Sequence, residues 1–376
     1  MNDRVFSYFG VTQESSQWTD WKWQYAHRIT DVEGLAHVIT LSEQEKQDIG
    51  LCLKRFRMAI TPYFASLFDP EDPDCPLRRQ SVPYIAEATS QPWEMVDPLH
   101  EDAYSPVSQI VHRYPDRVLL EATRHCAMYC RYCIRKRYVG EEDFRISEEE
   151  KSQAIDYISQ TPQIRDVLIS GGDPLTLDDD ELEDLIARIR AIPHVEIIRI
   201  GTRVPSSLPM RITSDLLTML KRYHPLWINV QFNHPRELSA EAESALAALA
   251  NAGIPLGDQS VLLKGINDNT ATIKELLLKL VKNRVRPYYL YQCDLCEGNE
   301  HFRTRVELGQ QIMRELMGNV SGLALPKLMI DAPMGGGKIP IDPEYVLSLD
   351  EYQVVMQNFE DKQFIYLQPQ RCQGNV

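Results

Sequence analysis

Two patterns of hydrophobic and polar residues alternate along the middle of the chain. Short apolar runs, of the kind that form buried strands, are separated by longer segments in which apolar residues recur every three or four positions, as on one face of a helix. One such segment carries Leu182, Leu185, Ile186 and Ile189 on a single helical face. Six runs are predicted as strands: residues 118–122, 167–170, 196–201, 227–232, 259–263 and 286–291. A repeated alternation of strand and helix predicts a parallel sheet.

Six parallel strands with helices outside them predict an α/β fold, a partial (β/α)6 barrel similar to a TIM barrel. In such barrels the functional residues lie at the carboxyl ends of the strands. We expect a helical N-terminal extension over residues 1–105, the barrel over residues 106–320, and a C-terminal segment over residues 321–376.

Three cysteines form the most informative motif of the chain. Cys126, Cys130 and Cys133 follow the first predicted strand with the spacing C-x3-C-x2-C. Thiolates this close on one loop can bind a single iron–sulfur cluster, and three ligands for a four-iron cube leave one iron open to another ligand. A zinc site would need a fourth ligand from elsewhere in the chain. Cysteines without any metal are a further alternative, which the tight and uneven spacing disfavours.

A second motif, formed by Ser170, Gly171, Gly172 and Asp173, ends the second predicted strand. Glycines at such a position allow another group to approach the backbone closely, so that an exposed amide can bind a ligand. Many strand-to-helix turns share this pattern. The motif therefore gains its significance from the neighbouring cysteines.

A third motif, formed by Gly335, Gly336, Gly337 and Lys338, lies in the C-terminal segment. Successive glycine amides can surround an anion, and a lysine amine can condense with an aldehyde. The motif thus predicts a cofactor that carries both a phosphate and an aldehyde. It lacks the spacing of a P-loop. On these residues alone, a flexible linker is an equally good interpretation.

Taken together, these motifs resemble those of radical S-adenosylmethionine (SAM) enzymes and, more specifically, the lysine 2,3-aminomutase family. The resemblance extends over residues 18–344, and its most specific parts are residues 291–295 and 331–338. It implies an isomerase with three cofactors: a 4Fe–4S cluster on the three cysteines, SAM on the open iron, and pyridoxal 5′-phosphate on Lys338. The implied reaction moves the α-amino group of L-lysine to C3 and yields β-lysine.

The resemblance also implies roles for individual residues. For the cofactors, it places Ser170, Gly171, Gly172 and Asp173 near SAM, Arg113 and Arg117 on pyridoxal phosphate, and Gln259 on both. For the substrate, it places Arg135 on the carboxylate and Asp294 with Asp331 on the ε-ammonium of lysine. The chain departs from the family at Met334, where glycine is usual. It also has Asn269 where clostridial members have a zinc-binding cysteine, and its tail offers only Cys372. We therefore expect no structural zinc, because four thiolates cannot be assembled.

The composition limits the partners and the location. A net charge of −14 at pH 7 disfavours nucleic acid, since phosphate binding requires a basic face. The chain has no apolar run long enough to span a membrane and no signal peptide, so we expect a cytoplasmic protein whose eight cysteines stay reduced. The expected partners are a small amino acid, an electron donor such as a flavodoxin or ferredoxin, and further copies of the chain in a homo-oligomer.

Three alternatives remain open. The first is the same reaction on arginine or another amino acid, because two aspartates do not separate an ammonium from a guanidinium. The second is a radical enzyme that modifies RNA, which the acidic balance and the Lys338 motif disfavour. The third is an iron–sulfur electron carrier without turnover. A carrier would need neither glycine motif and would normally bind its cube with a fourth cysteine.

Overall fold

The computed structural model describes residues 1–140 and 146–369 of the chain. Twelve strands lie within these ranges: β1 (Ile110–Tyr114), β2 (Arg117–Thr123), β3 (Asp166–Gly171), β4 (Ile197–Thr202), β5 (Leu226–Val230), β6 (Leu256–Leu262), β7 (Val285–Gln292), β8 (Lys327–Ala332), β9 (Gly337–Pro340), β10 (Val346–Leu349), β11 (Gln353–Gln357) and β12 (Gln363–Leu367). Strands β1 to β9 form one sheet in sequential order. Strands β2 to β8 are parallel, and β1 and β9 are antiparallel edge strands.

The predicted α/β barrel is confirmed, with one more parallel strand than expected. Strands β2 to β7 coincide with the six predicted strands to within a few residues, whereas β8 was not predicted. The apolar run of β8 is short and adjoins the glycine-rich motif, so it carries little strand signal. Strand β6 begins at Leu256, before the predicted start at Gln259, and includes the polar residue Asp258, which interrupts the apolar pattern. Asp258 is buried and accepts hydrogen bonds from the Phe232 amide, at 2.8 Å, and the Ser260 hydroxyl.

Helices connect the parallel strands. The described ranges contain α1 (Asp3–Phe9), α2 (Ser16–Thr19), α3 (Trp21–Ala26), α4 (Val32–Val38), α5 (Glu43–Leu53), α6 (Pro62–Ser66), α7 (Pro76–Arg79), α8 (Glu148–Ser159), α9 (Asp179–Arg190), α10 (Val204–Ser207), α11 (Ser214–Lys221), α12 (Ala240–Asn251), α13 (Thr270–Lys282) and α14 (Val306–Leu316). Each connection from β2 to β8 includes a helix. The apolar face predicted for α9 is buried against the sheet. In the described part of the chain, every helix is too short or too polar to cross a membrane.

The residues before β1 pack around Trp18 and support the cysteine loop. The Trp18 side chain is 1% exposed, and its ring lies 4.6 Å from that of Phe6. Met128, from the cysteine loop, belongs to the same apolar cluster. The Tyr129 amide donates to the Ala59 carbonyl at 3.0 Å. The N-terminal extension is therefore continuous with the wall of the barrel mouth.

Strands β10 to β12 form a second, three-stranded antiparallel sheet. This small sheet exposes several large apolar side chains, among them Leu349, Ile365, Tyr366 and Leu367. Apolar surface of this kind is a common feature of contacts between proteins.

A buried ion pair joins the extension to the cysteine loop. Arg131 Nη2 lies 2.6 Å from Glu87 Oε2, and the two side chains are 2% and 0% exposed. Arg131 Nε donates to both Glu87 oxygens at 3.1 Å, and Arg131 Nη1 donates to the Arg57 carbonyl at 2.6 Å. Each charge depends on the other, because a buried charge without a partner is costly.

Replacing Glu87 with glutamine should therefore lower the free energy of unfolding by about 3–5 kcal/mol, since the Arg131 charge would stay buried and unpaired. Urea unfolding at pH 7 measures the loss. Glu307→Gln is the control, because Glu307 and its partner Arg305 are 68% and 84% exposed and should contribute under about 1 kcal/mol. Equal effects of the two substitutions would contradict the prediction.

Candidate active site

One cavity of about 790 Å³ opens among the carboxyl ends of the parallel strands and extends through the barrel interior. Every residue that the sequence assigned to the site, apart from Gly336, lines this cavity: Arg113, Arg117, Cys126, Cys130, Cys133, Arg135, Ser170, Gly171, Gly172, Asp173, Gln259, Asp294, Asp331, Gly335, Gly337 and Lys338. Gln259 lies in the middle of β6, and not at its start as expected. The tertiary structure thus brings motifs more than 200 residues apart to a single site.

The cysteine loop presents three thiols to the cavity. Cys126, Cys130 and Cys133 all line the cavity. Burial raises the pKa of the Cys133 thiol to about 11, and neighbouring Cys130 adds to the shift, so bound metal would have to offset the cost of the thiolates. In residues 1–140 and 146–369, no three His, Cys, Asp or Glu side chains converge on one ion. A cube does not require such convergence, because each thiolate binds a different iron.

The two glycines at the end of β3, Gly171 within the strand and Gly172 after it, allow the cysteine loop to pack closely. Gly171 has a φ of +104°, and a Cβ at Gly172 would overlap the backbone of His125. The Asp173 amide donates to the His125 carbonyl at 2.7 Å. Close approach is therefore needed here, as expected, but the group that approaches is the protein backbone. A role of this turn in binding SAM stays a prediction.

The Asp173 carboxylate also has partners within the protein. One of its oxygens accepts from the Thr202 hydroxyl and the other from the Arg203 amide, both at 2.7 Å. Its side chain is buried, and burial raises its pKa. Asp173 consequently ties the end of β3 to the end of β4.

Arg135 is held by two glutamates that the sequence analysis missed. Its Nε donates to Glu101 at 3.0 Å, its Nη2 contacts the other Glu101 oxygen, and Glu121 lies 3.5 Å from Nε. Among the described residues, Nη1 has only a long contact, 3.5 Å, to the Gly171 carbonyl, so this nitrogen can meet a ligand in the cavity. Glu121 could have been noticed as a charged residue inside an apolar strand. Glu101 carried no comparable signal.

Lys338 lies opposite Asp331 in the antiparallel pair β8–β9. Its ammonium is 2.9 and 2.7 Å from the two Asp331 oxygens and 4.8 Å from the centre of the Tyr291 ring. The Lys338 amide donates to the Tyr114 hydroxyl at 2.8 Å. The lysine is thus fixed at the cavity wall with its amine beside a carboxylate.

The glycine motif forms a tight turn before β9. Gly335 and Gly337 have φ values of +74° and +83°, and Met334 adopts +57°, a conformation that a side chain disfavours. The Gly336 amide donates to the Ala332 carbonyl at 3.1 Å, and the Lys338 amide is also bonded within the chain. The Gly336 and Lys338 amides therefore have partners within the chain, and anion binding by the glycine motif stays a prediction.

Arginines near the turn are better placed to bind an anion. Arg113 Nε donates to the Gly335 carbonyl, and its guanidinium lies 4.9 Å from the centre of the Tyr104 ring. Arg117 stacks on Tyr114 at 3.9 Å and pairs with Asp116 at 2.7 Å. Both arginines line the cavity near Lys338. Guanidinium groups suit phosphate, so the residues present fit a phosphate-bearing aldehyde.

Asp294 and Asp331 form an acidic pair at the same wall. Burial raises the pKa of Asp294 to about 7, and the nearby carboxylate of Asp331 adds to the shift while Lys338 opposes it. An incoming cation would lower this pKa and favour the ionised pair. The wall therefore favours a positively charged group.

Asn269 immediately precedes α13 as its N-cap, and its side chain accepts a hydrogen bond from the Thr272 amide at 2.9 Å. The residue thus has a role in helix capping. Cys372 lies outside the described residues, and the seven described cysteines are free. The expected lack of a structural zinc stays a prediction.

Comparisons with known proteins agree with this site. A family model described as the radical SAM superfamily matches residues 120–277, and one described as lysine-2,3-aminomutase matches residues 313–375. L-Lysine 2,3-aminomutase of Clostridium subterminale is 52% identical over 94% of this chain and 85% of its own length. The enzyme of the same name from Bacillus subtilis is 48% identical over 94% of this chain and 75% of its own length. Glutamate 2,3-aminomutase of Clostridioides difficile is 44% identical over 96% of this chain and 84% of its own length.

A barrel with three cysteines at its mouth and a match to the superfamily model defines a radical SAM enzyme. More particularly, the chain belongs to the lysine 2,3-aminomutase family and is an isomerase. Membership implies a 4Fe–4S cluster and SAM, and members of the family use pyridoxal phosphate.

Alanine in place of Cys126, Cys130 or Cys133 should remove the bound iron, because only two thiolates would remain for the cube. Iron and sulfide per chain, measured after anaerobic reconstitution, test this expectation. Cys293→Ala and Cys296→Ala are matched controls, since both thiols are buried near the loop and Cys296 Sγ lies 3.7 Å from the Cys133 carbonyl oxygen. Complete loss of iron from either control would show that the ligands are wrongly assigned.

Proposed function

We propose that this enzyme moves the α-amino group of L-lysine to C3 and produces β-lysine, with pyridoxal phosphate held on Lys338. The observation that carries the proposal is the acidic pair Asp294 and Asp331 beside the amine of Lys338. Relatives that are about half identical to this chain are named for the same reaction on lysine.

When bound, the cluster with SAM supplies one-electron chemistry that removes and returns a hydrogen atom, while pyridoxal phosphate supplies the conjugated system through which nitrogen moves. The protein contributes position and charge. Lys338 holds the aldehyde, Arg113 and Arg117 bind the phosphate, and Gln259 contacts both cofactors. Ser170, Gly171, Gly172 and Asp173 support the SAM site next to the cysteines.

The substrate would lie between two oppositely charged parts of the cavity. Arg135 binds the carboxylate through Nη1, because its other two nitrogens are occupied by Glu101 and Glu121. Asp294 and Asp331 bind the side-chain ammonium. The ion pair already present between Lys338 and Asp331 supports this assignment, since it demonstrates that the wall accommodates a primary ammonium.

The same charges argue against glutamate as the substrate. A third carboxylate beside Asp294 and Asp331 would have to be protonated or repelled. Burial, to which the Asp331 carboxylate adds, already raises the pKa of Asp294 to about 7, so further negative charge is costly there. Arginine remains the stronger competitor because its side chain is cationic.

Further partners follow from the proposed reaction. The cluster needs a one-electron donor of the flavodoxin or ferredoxin class. The exposed apolar side chains of β10 to β12 support a homo-oligomer. The seven cysteines in the described part of the chain are free, which favours the cytoplasm, where thiols stay reduced.

The cofactor assignment predicts that borohydride will attach a pyridoxyl group to Lys338, because only an amine bound to the aldehyde can be reduced onto it. Peptide mass spectrometry locates the label. Lys338→Ala should lose the label while it still binds SAM, and Lys327→Ala, at the exposed start of β8, should retain it. A label on Lys327 or Lys264 in the unaltered enzyme would refute the assignment.

The substrate assignment predicts that Asp294→Asn and Asp331→Asn lower kcat/KM for lysine roughly thirty- to several-thousand-fold. Loss of one partner from a buried charge pair costs about 2–5 kcal/mol, at about 1.4 kcal/mol per decade. We expect negligible turnover of glutamate by the unaltered enzyme. The measurement is kcat/KM for lysine, arginine and glutamate.

The exposed residue Glu351 provides a control, Glu351→Gln, which should leave all three values unchanged. Asp294→Asn is the cleaner of the two variants, because Asp331 also pairs with Lys338. If both aspartate variants use lysine within about threefold of the unaltered enzyme, the proposed substrate is wrong.

A further inference from the structure

Arg203 directly follows β4 and lies beside the cysteine loop. Its Nη1 donates a hydrogen bond to Cys130 Sγ at 2.8 Å. The side chain is only 7% exposed and lines the cavity. The Arg203 backbone amide donates a hydrogen bond to the Asp173 carboxylate at 2.7 Å, which fixes the backbone from which the side chain extends. A buried guanidinium therefore points at one of the three cysteines.

The guanidinium also has a buried counter-ion. Arg203 Nη2 lies 3.2 Å from Glu237 Oε2 and donates to Gln80 Oε1 at 2.6 Å. Glu237 is 0% exposed and accepts further bonds from the Ser206 hydroxyl at 2.6 Å and the Asn233 amide at 3.0 Å. Arg203 is thus held between a carboxylate and a cysteine sulfur.

Aromatic rings limit the access of water to this contact. The Arg203 guanidinium lies 5.6 Å from the centre of the Tyr132 ring and 5.7 Å from that of Phe64. Its Nε is buried and has no hydrogen-bond partner among the described residues, so it is a further donor available to a bound group. Charges interact more strongly in such surroundings than in water.

We propose that Arg203 is a positioning residue that raises the reduction potential of the cluster through Cys130, and that Glu237 moderates this effect. Hydrogen bonds to the sulfurs and the local net charge both set the potentials of iron–sulfur clusters. Reduction adds one electron, taken from an external one-electron donor, and no bond is formed or broken. The added negative charge is stabilised by a cation bonded to a ligand sulfur.

The test measures the reduction potential of the cluster in the complete, reconstituted protein, without SAM or amino acid. The protein is titrated with dithionite, and electron paramagnetic resonance monitors the reduced cluster. Arg203→Gln should make reduction at least tenfold less favourable, which corresponds to about 59 mV for a one-electron couple. Arg203→Lys keeps the charge and should recover part of the shift. A purely structural role of Arg203 would leave the potential unchanged.

Two further variants provide a sign test and a control. Glu237→Gln removes the counter-ion and should shift the potential in the opposite direction, making reduction easier. Arg211→Gln removes another buried arginine, 0% exposed, which pairs with Asp179 at 2.6 Å and donates to the Leu175 carbonyl at 2.9 Å. Its reduction equilibrium should stay within threefold of that of the unaltered protein.

The proposal is overturned if Arg203→Gln binds a full complement of iron and its reduction equilibrium stays within threefold of the original. If Arg203→Gln binds no cluster, the Glu237→Gln variant tests the proposal instead. A reduction potential of Glu237→Gln that is unchanged or more negative than that of the unaltered protein then overturns the proposal. The inference depends on Cys130 as a cluster ligand, which iron analysis of Cys130→Ala tests separately. It does not depend on which amino acid is the substrate.

Discussion

The charges that the cysteine loop buries need partners, and this requirement shapes the mouth of the barrel. Arg131 pairs with Glu87, Arg135 with Glu101, and Lys136 donates to Asn299. Two of these partners precede the barrel in the chain, and the third follows its sixth parallel strand. A cation buried without a partner would cost several kcal/mol. The loop can therefore keep its conformation only when the N-terminal extension is folded against it.

The cavity separates charges along its length. Near the cysteines, Arg203 and Arg135 present guanidinium groups that are partly balanced by glutamates. At the opposite wall Asp294 and Asp331 face the amine of Lys338. The proposed substrate, an amino acid with a cationic side chain, would match these charges with its carboxylate at Arg135 and its ammonium at the acidic pair.

Strong local patterns were sufficient to predict most of the barrel. Strands β2 to β5 contain aliphatic residues at their buried positions and lie between helices with apolar faces, so their signals agree with the final packing. Two features were not predicted, because tertiary contacts override local preference there. Asp258 is polar but buried in β6, where an amide and a hydroxyl satisfy it. Strand β8 is recognisable only from its pairing with β7 and β9.

The sequence by itself determined the cluster loop, the class of barrel and the motif around Lys338, because each depends on residues that are close together in the chain. Only the tertiary structure decided which groups surround them. The bond from Arg203 to Cys130 joins residues 73 positions apart, and Glu101 meets Arg135 across 34 positions. It likewise decided that the Gly336 amide bonds to the Ala332 carbonyl and the Lys338 amide to the Tyr114 hydroxyl. Such contacts depend on how the strands and loops pack, and no local pattern of residue types encodes that packing.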